Sequence, residues 1–436
     1  MPQRSQLEPR ASAIGAIEPL YRKIALRILP ILFIGYIIAY LDRVNVGFAK
    51  LQMMGDLQFS DRIYGLGAGI FFLGYFVFEV PSNIILHKVG ARIWLCRVLV
   101  SWGIVSACTA FVRTPWEFYS MRFLLGLAEG GFFPGMVLYL TYWFPSHRRA
   151  KMMALVMAGN PVSGIIGGPL SGFILHHFSH GQGLAGWQWL FVIEASPAVV
   201  LGIIILFCLD DRMVDANWLS EQEKTAVAAE ISEEASTKTH QTVRSAFTSP
   251  RVWLMCVILF SIAMGSYAIG FWQPTIIRQT GVKDSFDIGL LSMLPYTLAL
   301  TSMILVGRHA DKTRERRWHL VIPNIVAALG FVLCSQAGSH TTIAMAGLVM
   351  AAVGVITALP MFWALPTSFL GGSAAAAGLA LINCMGNLAG FVSPTIIGFL
   401  KTTTGTLTSG LFLVAAFHVA AAGLILGLVP AKLVNR

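Results

Sequence analysis

Ile24-Ala-Leu-Arg27-Ile-Leu-Pro30-Ile-Leu-Phe-Ile-Gly-Tyr36-Ile-Ile-Ala-Tyr40-Leu-Asp42-Arg43-Val-Asn45-Val-Gly47-Phe48 is an apolar run broken by only three ionisable side chains, Arg27, Asp42 and Arg43. A helix needs about 20 largely apolar residues to cross the ~30 Å hydrocarbon layer of a bilayer, and this run is long enough. Eleven more runs of the same kind follow, at roughly 63–86, 92–112, 116–143, 150–176, 188–209, 252–277, 285–307, 318–337, 341–363, 372–400 and 407–429. The sequence therefore predicts an all-α integral membrane protein of twelve spans. Several runs exceed the minimum length, which predicts tilt or kinking.

Composition agrees. Hydrophobic residues make up 56% of the chain and charged residues 12%, against roughly 45–50% and about 25% in soluble domains. A soluble enzyme of this size would lack the charge to cover its surface. The net charge of +10 is not gathered into a basic patch with interleaved aromatics, so nucleic acid is not an expected partner. The bilayer is. All six cysteines fall in apolar runs without a CxxC pair, so neither disulfides nor a metal site is expected. The first 23 residues contain Pro2, Pro9 and Pro19 and no apolar core, which reads as a tail before an uncleaved signal anchor.

Lys and Arg set the orientation. With the N-terminus inside, six of the 31 lie outside, at Lys50, Arg62, Arg113, Arg278, Lys283 and Lys401. Arg43 and Arg122 lie within spans, and the other 23 face the cytoplasm. Both termini are thus expected in the cytoplasm. The longest polar stretch, 210–250, separates six spans from six, with a surface helix expected over Leu219–Glu234. The expected division is a tail at 1–23, a bundle at 24–209, a linker at 210–250, a second bundle at 251–430 and a tail at 431–436.

The two halves repeat a feature at matching positions. Between spans two and three stands Asn83-Ile-Ile-Leu-His-Lys88-Val-Gly90-Ala-Arg92; between spans eight and nine stands Gly307-Arg308-His-Ala-Asp311-Lys312-Thr-Arg314-Glu-Arg316-Arg317. Both resemble the loop motif of the major facilitator superfamily, the first with His87 in place of the acidic residue. Such basic loops are expected to pair with carboxylates and helix ends on the neighbouring bundle. Tyr40-Leu-Asp42-Arg43-Val-Asn45-Val-Gly47, Glu79-Val-Pro81-Ser-Asn83 and Arg122-Phe-Leu-Leu-Gly126-Leu-Ala-Glu129-Gly130 resemble the anion:cation symporter family. Leu294-Pro295-Tyr296 and Glu315-Arg-Arg-Trp318-His are similar to its tartrate, phthalate and hydroxyphenylacetate branch. The resemblance runs from about 22 to 430. It implies the major facilitator fold, two pseudo-symmetric six-helix bundles, and secondary active transport.

An ionisable side chain at membrane depth is costly and by default faces a cavity or a partner. Asp42, Arg43, Glu79, Arg122 and Glu129 lie deep in the first half, with Glu194 nearer the end of span six; the second half has none away from helix ends. Arg43, Tyr40 and Tyr36 share a helix face, and the Arg fork grips a carboxylate bidentately where Lys cannot. Adjacent residues diverge by about 100°, so Asp42 points elsewhere and is expected to reach Arg122. Arg122 and Glu129 stand roughly 10 Å apart along one face, too far to pair directly. Desolvation favours a protonated Glu129, a nearby arginine an ionised one. The family resemblance implies proton coupling at Asp42 and substrate binding at Arg43, and Glu129 is a second candidate for the coupling proton.

Substrate contacts are expected from Arg43, Tyr40, Tyr75, Arg122, Asn160, Trp363 and Asn387, although Tyr75, Asn160, Trp363 and Asn387 read equally well as packing. Glu79 and Glu194 read as structural partners of the basic loops. Gly126-x-x-x-Gly130 and Gly164-x-x-x-Gly168-Pro169-x-x-Gly172 read as close packing; the second also resembles an antiporter motif. No phosphate-binding loop or nucleophile elbow is present, so no enzymatic activity and no cofactor beyond a coupling H+ are expected. The resulting expectation is proton-coupled import of a small organic carboxylate, tartrate or an aromatic acid, by a monomer in the inner membrane. Organic-anion exchange and a non-transporting anion receptor are the alternatives.

Overall fold

The computed structural model describes residues 7–178, 183–236, 247–367 and 372–431. They form fifteen α-helices that supply twelve segments long and apolar enough to cross a membrane. The first six spans are built from α1 (Leu7–Leu57), α2 (Asp61–Val89), α3 (Ala91–Cys108), α4 (Pro115–Glu129), α5 (Phe132–Trp143), α6 (Ser146–Met157), α7 (Gly159–His177) and α8 (Gly186–Cys208). A linker helix, α9 (Glu221–Ser236), follows. The last six spans are α10 (Pro250–Gln279), α11 (Ser285–Thr313), α12 (Trp318–Gln336), α13 (Thr341–Thr367), α14 (Gly372–Thr404) and α15 (Thr408–Leu428).

Every predicted span is present, with two internal breaks that the hydropathy of the runs conceals. Span five divides at Ala158 into α6 and α7, and span four divides after Glu129 into α4 and α5. At the second break Gly131 has φ +100°, a left-handed conformation, and a Cβ there would lie 1.9 Å from Ser82 Oγ, so only glycine fits. Glu129 consequently sits at the last residue of α4. Helix starts are capped by side chains: Ser60 accepts from Ile63 N, and Thr114 accepts from Glu117 N with Pro115 at the first helical position.

The linker helix runs over Glu221–Ser236, close to the predicted range, and docks on the first half. Lys23 Nζ pairs with Glu223 at 2.9 Å, and the Tyr21 hydroxyl donates to Glu230 at 2.8 Å. Trp218 just before it stacks on Trp143 at 5.7 Å. Among the described residues the basic loops bind a carboxylate and a helix end of their own half. Asp211 Oδ1 accepts from Arg92 N at 2.7 Å, and Arg317 donates to the Leu426 carbonyl at the end of α15. The physical reason is reach: each loop is so short that the ends of its own bundle are nearest.

The two sets of spans meet most closely at the face opposite the termini, here called the far face. Asp61 Oδ1 is ion-paired with Lys50 Nζ at 2.7 Å and accepts from Lys401 Nζ at 3.1 Å, joining α1 and α2 to α14. Lys50 also lies 3.6 Å from the Trp272 ring centroid. Arg278 donates to the Leu51 carbonyl, the Tyr64 hydroxyl to the Phe271 carbonyl at 2.7 Å, and His176 meets Asp284 at 2.7 Å. Between α7 and α11 the backbones touch: a Cβ on Gly289 would lie 2.3 Å from the Gly168 carbonyl oxygen. The glycine series in span five is therefore a packing surface, as its spacing predicts.

Candidate functional site

About seven residues below the Lys50 tie on α1 lies Arg43, only 8% exposed. Its guanidinium is ion-paired and hydrogen-bonded to Glu129, which is 1% exposed. Four aromatic rings surround the cation, with centroids at 5.1 Å (Tyr40), 5.4 Å (Phe71), 5.8 Å (Phe72) and 5.5 Å (Tyr75). Rings at such distances attract a cation through their quadrupoles while leaving its planar fork free to bond in plane. Tyr40 and Arg43 share a face, as their spacing predicts, and Tyr36 extends it, its ring 5.0 Å from Tyr40.

Close helix packing places these groups. A Cβ on Gly126 would lie 1.9 Å from the Phe71 carbonyl oxygen, so α4 presses directly onto α2 and carries Glu129 toward Arg43. From the second half Tyr267 of α10 reaches the same point. Its ring is 4.6 Å from that of Phe72, which itself lies 5.8 Å from the Arg43 guanidinium, and its hydroxyl donates to Asn387 Oδ1 at 3.4 Å. Thus Arg43, Glu129, Tyr40, Tyr75 and Asn387 come together. Tyr267 joins them unforeseen, although a lone tyrosine in the apolar run 252–277 is the signal that marks it.

Asp42 points away from Arg43, as adjacent positions on a helix require. It accepts from Ser106 Oγ of α3 and from Asn45 Nδ2 at 3.5 Å. Its expected contact with Arg122 is electrostatic only: the two attract without a hydrogen bond, and Nε, Nη1 and Nη2 of Arg122 are buried with no acceptor among the described residues. Arg122 lies 5.1 Å from the Phe71 ring, between Asp42 and Glu129 in the same electrostatic cluster. Gly159, the neighbour of Asn160, packs on Tyr36, where a Cβ would lie 3.1 Å from the ring; the carbonyl of Asn160 accepts from Ser163 Oγ at 2.6 Å.

Trp363 packs its ring 5.5 Å from Phe362 and against the core that includes Val252 and Ile425. Two readings need correction. Glu79 does not serve the basic loops; it points across to α14, where Cys384 Sγ lies 3.9 Å from Oε2. Glu194 is 3% exposed and accepts from Ser171 Oγ at 2.6 Å, deep between α7 and α8 and far along the chain path from any basic loop.

Chemically the arrangement is one guanidinium in an aromatic frame whose in-plane partner is a protonatable carboxylate. A carboxylate that takes up a proton loses its claim on the guanidinium, and another anion can then take its place.

The Major Facilitator Superfamily model matches residues 32–394. A metabolite transport protein of Pseudomonas putida, provisionally named NicT, is 46% identical over 421 residues, covering 96% of both chains. A protein of Agrobacterium vitis provisionally named a tartrate transporter is 48% identical over 404 residues, 92% of each chain. The crystal structure of a D-xylose–proton symporter superposes with a TM-score of 0.75 at 16% identity, covering 93% of this chain and 98% of that one; it shares the fold. The chain belongs to the Major Facilitator Superfamily and is a multi-pass membrane transporter.

Proposed function

We propose that the protein imports a small organic carboxylate, such as tartrate or an aromatic acid, by proton symport across the inner membrane of a bacterium. Both termini face the cytoplasm in this reading, because 23 of the 31 Lys and Arg residues fall on that side. The observation that carries it is the buried ion pair between Arg43 and Glu129. Without substrate, Glu129 neutralises Arg43 and the site can reorient without an uncompensated charge at membrane depth. Protonation of Glu129 frees the fork, and the substrate carboxylate replaces it. Proton and anion thus enter together, and neither alone satisfies the site.

Tyr40 and Tyr75 provide flat walls for the substrate, Tyr267 and Asn387 polar contacts from the other half, and Asn160 a border. Arg122 raises the positive potential beside the site, and Asp42 holds Arg122 and is a second proton-coupling carboxylate. The far-face ties must open for outside access while the opposite ends close, the rocking of two six-helix sets around a midplane site. The name of the Agrobacterium relative makes tartrate the first compound to try.

The test is purified protein in liposomes loaded with a pH dye. Tartrate or phthalate added outside is expected to acidify the interior without any substrate inside. Movement that requires substrate on the inner side and ignores an imposed pH gradient would instead establish anion exchange. Binding without acidification or uptake would make the protein a receptor.

A further inference from the structure

One buried carboxyl group takes no part in the site at Arg43. In the first half, Asp42, Glu79, Glu129 and Glu194 are four buried acids at membrane depth, faced by two guanidiniums, Arg43 and Arg122. Glu129 has Arg43, and Asp42 has the attraction of Arg122. Glu79 borders Arg43 and Asn383. Glu194 has no cation. The groups acting on it are Ser171 from α7, and Asn45 and Asp42 from α1; among the described residues Asp42 is the one charged side chain acting on it, and it is an anion.

Two atoms at this place lack partners. Among the described residues, the buried Glu194 Oε2 has no hydrogen-bond partner, and neither has the buried Asn45 Oδ1. Both are acceptors, and an acceptor deprived of a donor in a dry core costs free energy. An ionised carboxylate there would add an unpaired charge next to Asp42. A single proton on Oε2 removes the charge and converts one orphan acceptor into a donor. Oε1 then serves as the carbonyl oxygen that accepts from Ser171 at 2.6 Å.

We infer that Glu194 is a third protonation site of the transport unit, separate from Glu129 and Asp42, and that it holds one proton in the state seen here. Its use in transport rests on the proton-coupled reading above; its protonation does not. Asn45, whose amide lies between Asp42 and Glu194, ties the occupancy of this site to the carboxylate that faces Arg122. Asp42 can then stay ionised against Arg122 only while Glu194 is neutral.

Infrared spectroscopy of the purified protein in lipid at neutral pH reads this directly, without a substrate. The carbonyl stretch of a protonated carboxylic acid is expected in the wild type and absent from Glu194→Gln, which keeps the shape of the neutral acid. Ser171→Ala removes the donor to Oε1 and is expected to move that band to higher frequency without abolishing it. A band lost in Glu194→Gln and shifted in Ser171→Ala supports the inference; a band unchanged in Glu194→Gln overturns it. Failure of pH-driven uptake in the wild type would defeat the symport reading while leaving this band in place.

Discussion

Glu129→Gln separates the two things Glu129 does in this account. The amide keeps the shape of the carboxyl group but cannot ionise, so Arg43 loses its in-plane anion at every pH. In the wild type the substrate must displace an ionised Glu129 from a buried, charge-assisted hydrogen bond. Such bonds contribute about 1.5–3 kcal/mol. At 1.4 kcal/mol per factor of ten, apparent affinity in the wild type should be lower by about 10- to 100-fold wherever Glu129 is ionised. The variant should therefore bind tartrate or phthalate more tightly than the parent at alkaline pH, by about that factor, and its affinity should change little with pH. It should also be less stable when empty. Leaving a buried charge without its partner costs roughly 3–5 kcal/mol, and the four rings at 5.1–5.8 Å offset part of that. Titration calorimetry across pH, with thermal melting in the same detergent, measures both. Equal affinity and an equal pH slope in parent and variant would refute the competition between Glu129 and substrate.

Arg43→Lys keeps the charge but not the planar fork, and is expected to preserve folding while weakening binding by about tenfold or more in calorimetry. Asp61→Asn leaves Lys50 buried at 4% exposure with its shared carboxylate gone; melting in detergent should fall by an amount equivalent to about 3 kcal/mol. Gly289→Ala places a methyl carbon 2.3 Å from the Gly168 carbonyl oxygen, so the far face cannot close as seen. A cysteine placed at Asp284 should then react faster with an impermeant thiol reagent than it does without the alanine.

The spans were legible because twenty apolar residues in a row admit few other readings, and the linker because its charges stand out between them. The break after Glu129 was not, since Gly130 and Gly131 look no different from the packing glycines around them until Ser82 is seen against the turn. The face shared by Tyr40 and Arg43 follows from helix periodicity. Which acid meets Arg43 does not: Glu129 lies 86 positions away, and the approach of α4 to α2 decides the contact. Tyr267 carries no charge to mark it, and periodicity gives a side chain's helix face but not the neighbour it meets. Glu79 and Glu194 show the same limit, since charge complementarity suggested the basic loops while chain geometry put α14 and Ser171 within reach.

The claim that Arg43 passes from Glu129 to the substrate has a direct signature in protons. If binding replaces an ionised Glu129 that becomes protonated, each tartrate or phthalate bound near neutral pH takes up about one proton from solution. Calorimetry of binding in buffers of different ionisation enthalpy counts that proton without requiring transport. The account predicts uptake of about one proton in the wild type and none at this site in Glu129→Gln. Binding to the wild type with no proton uptake would contradict it.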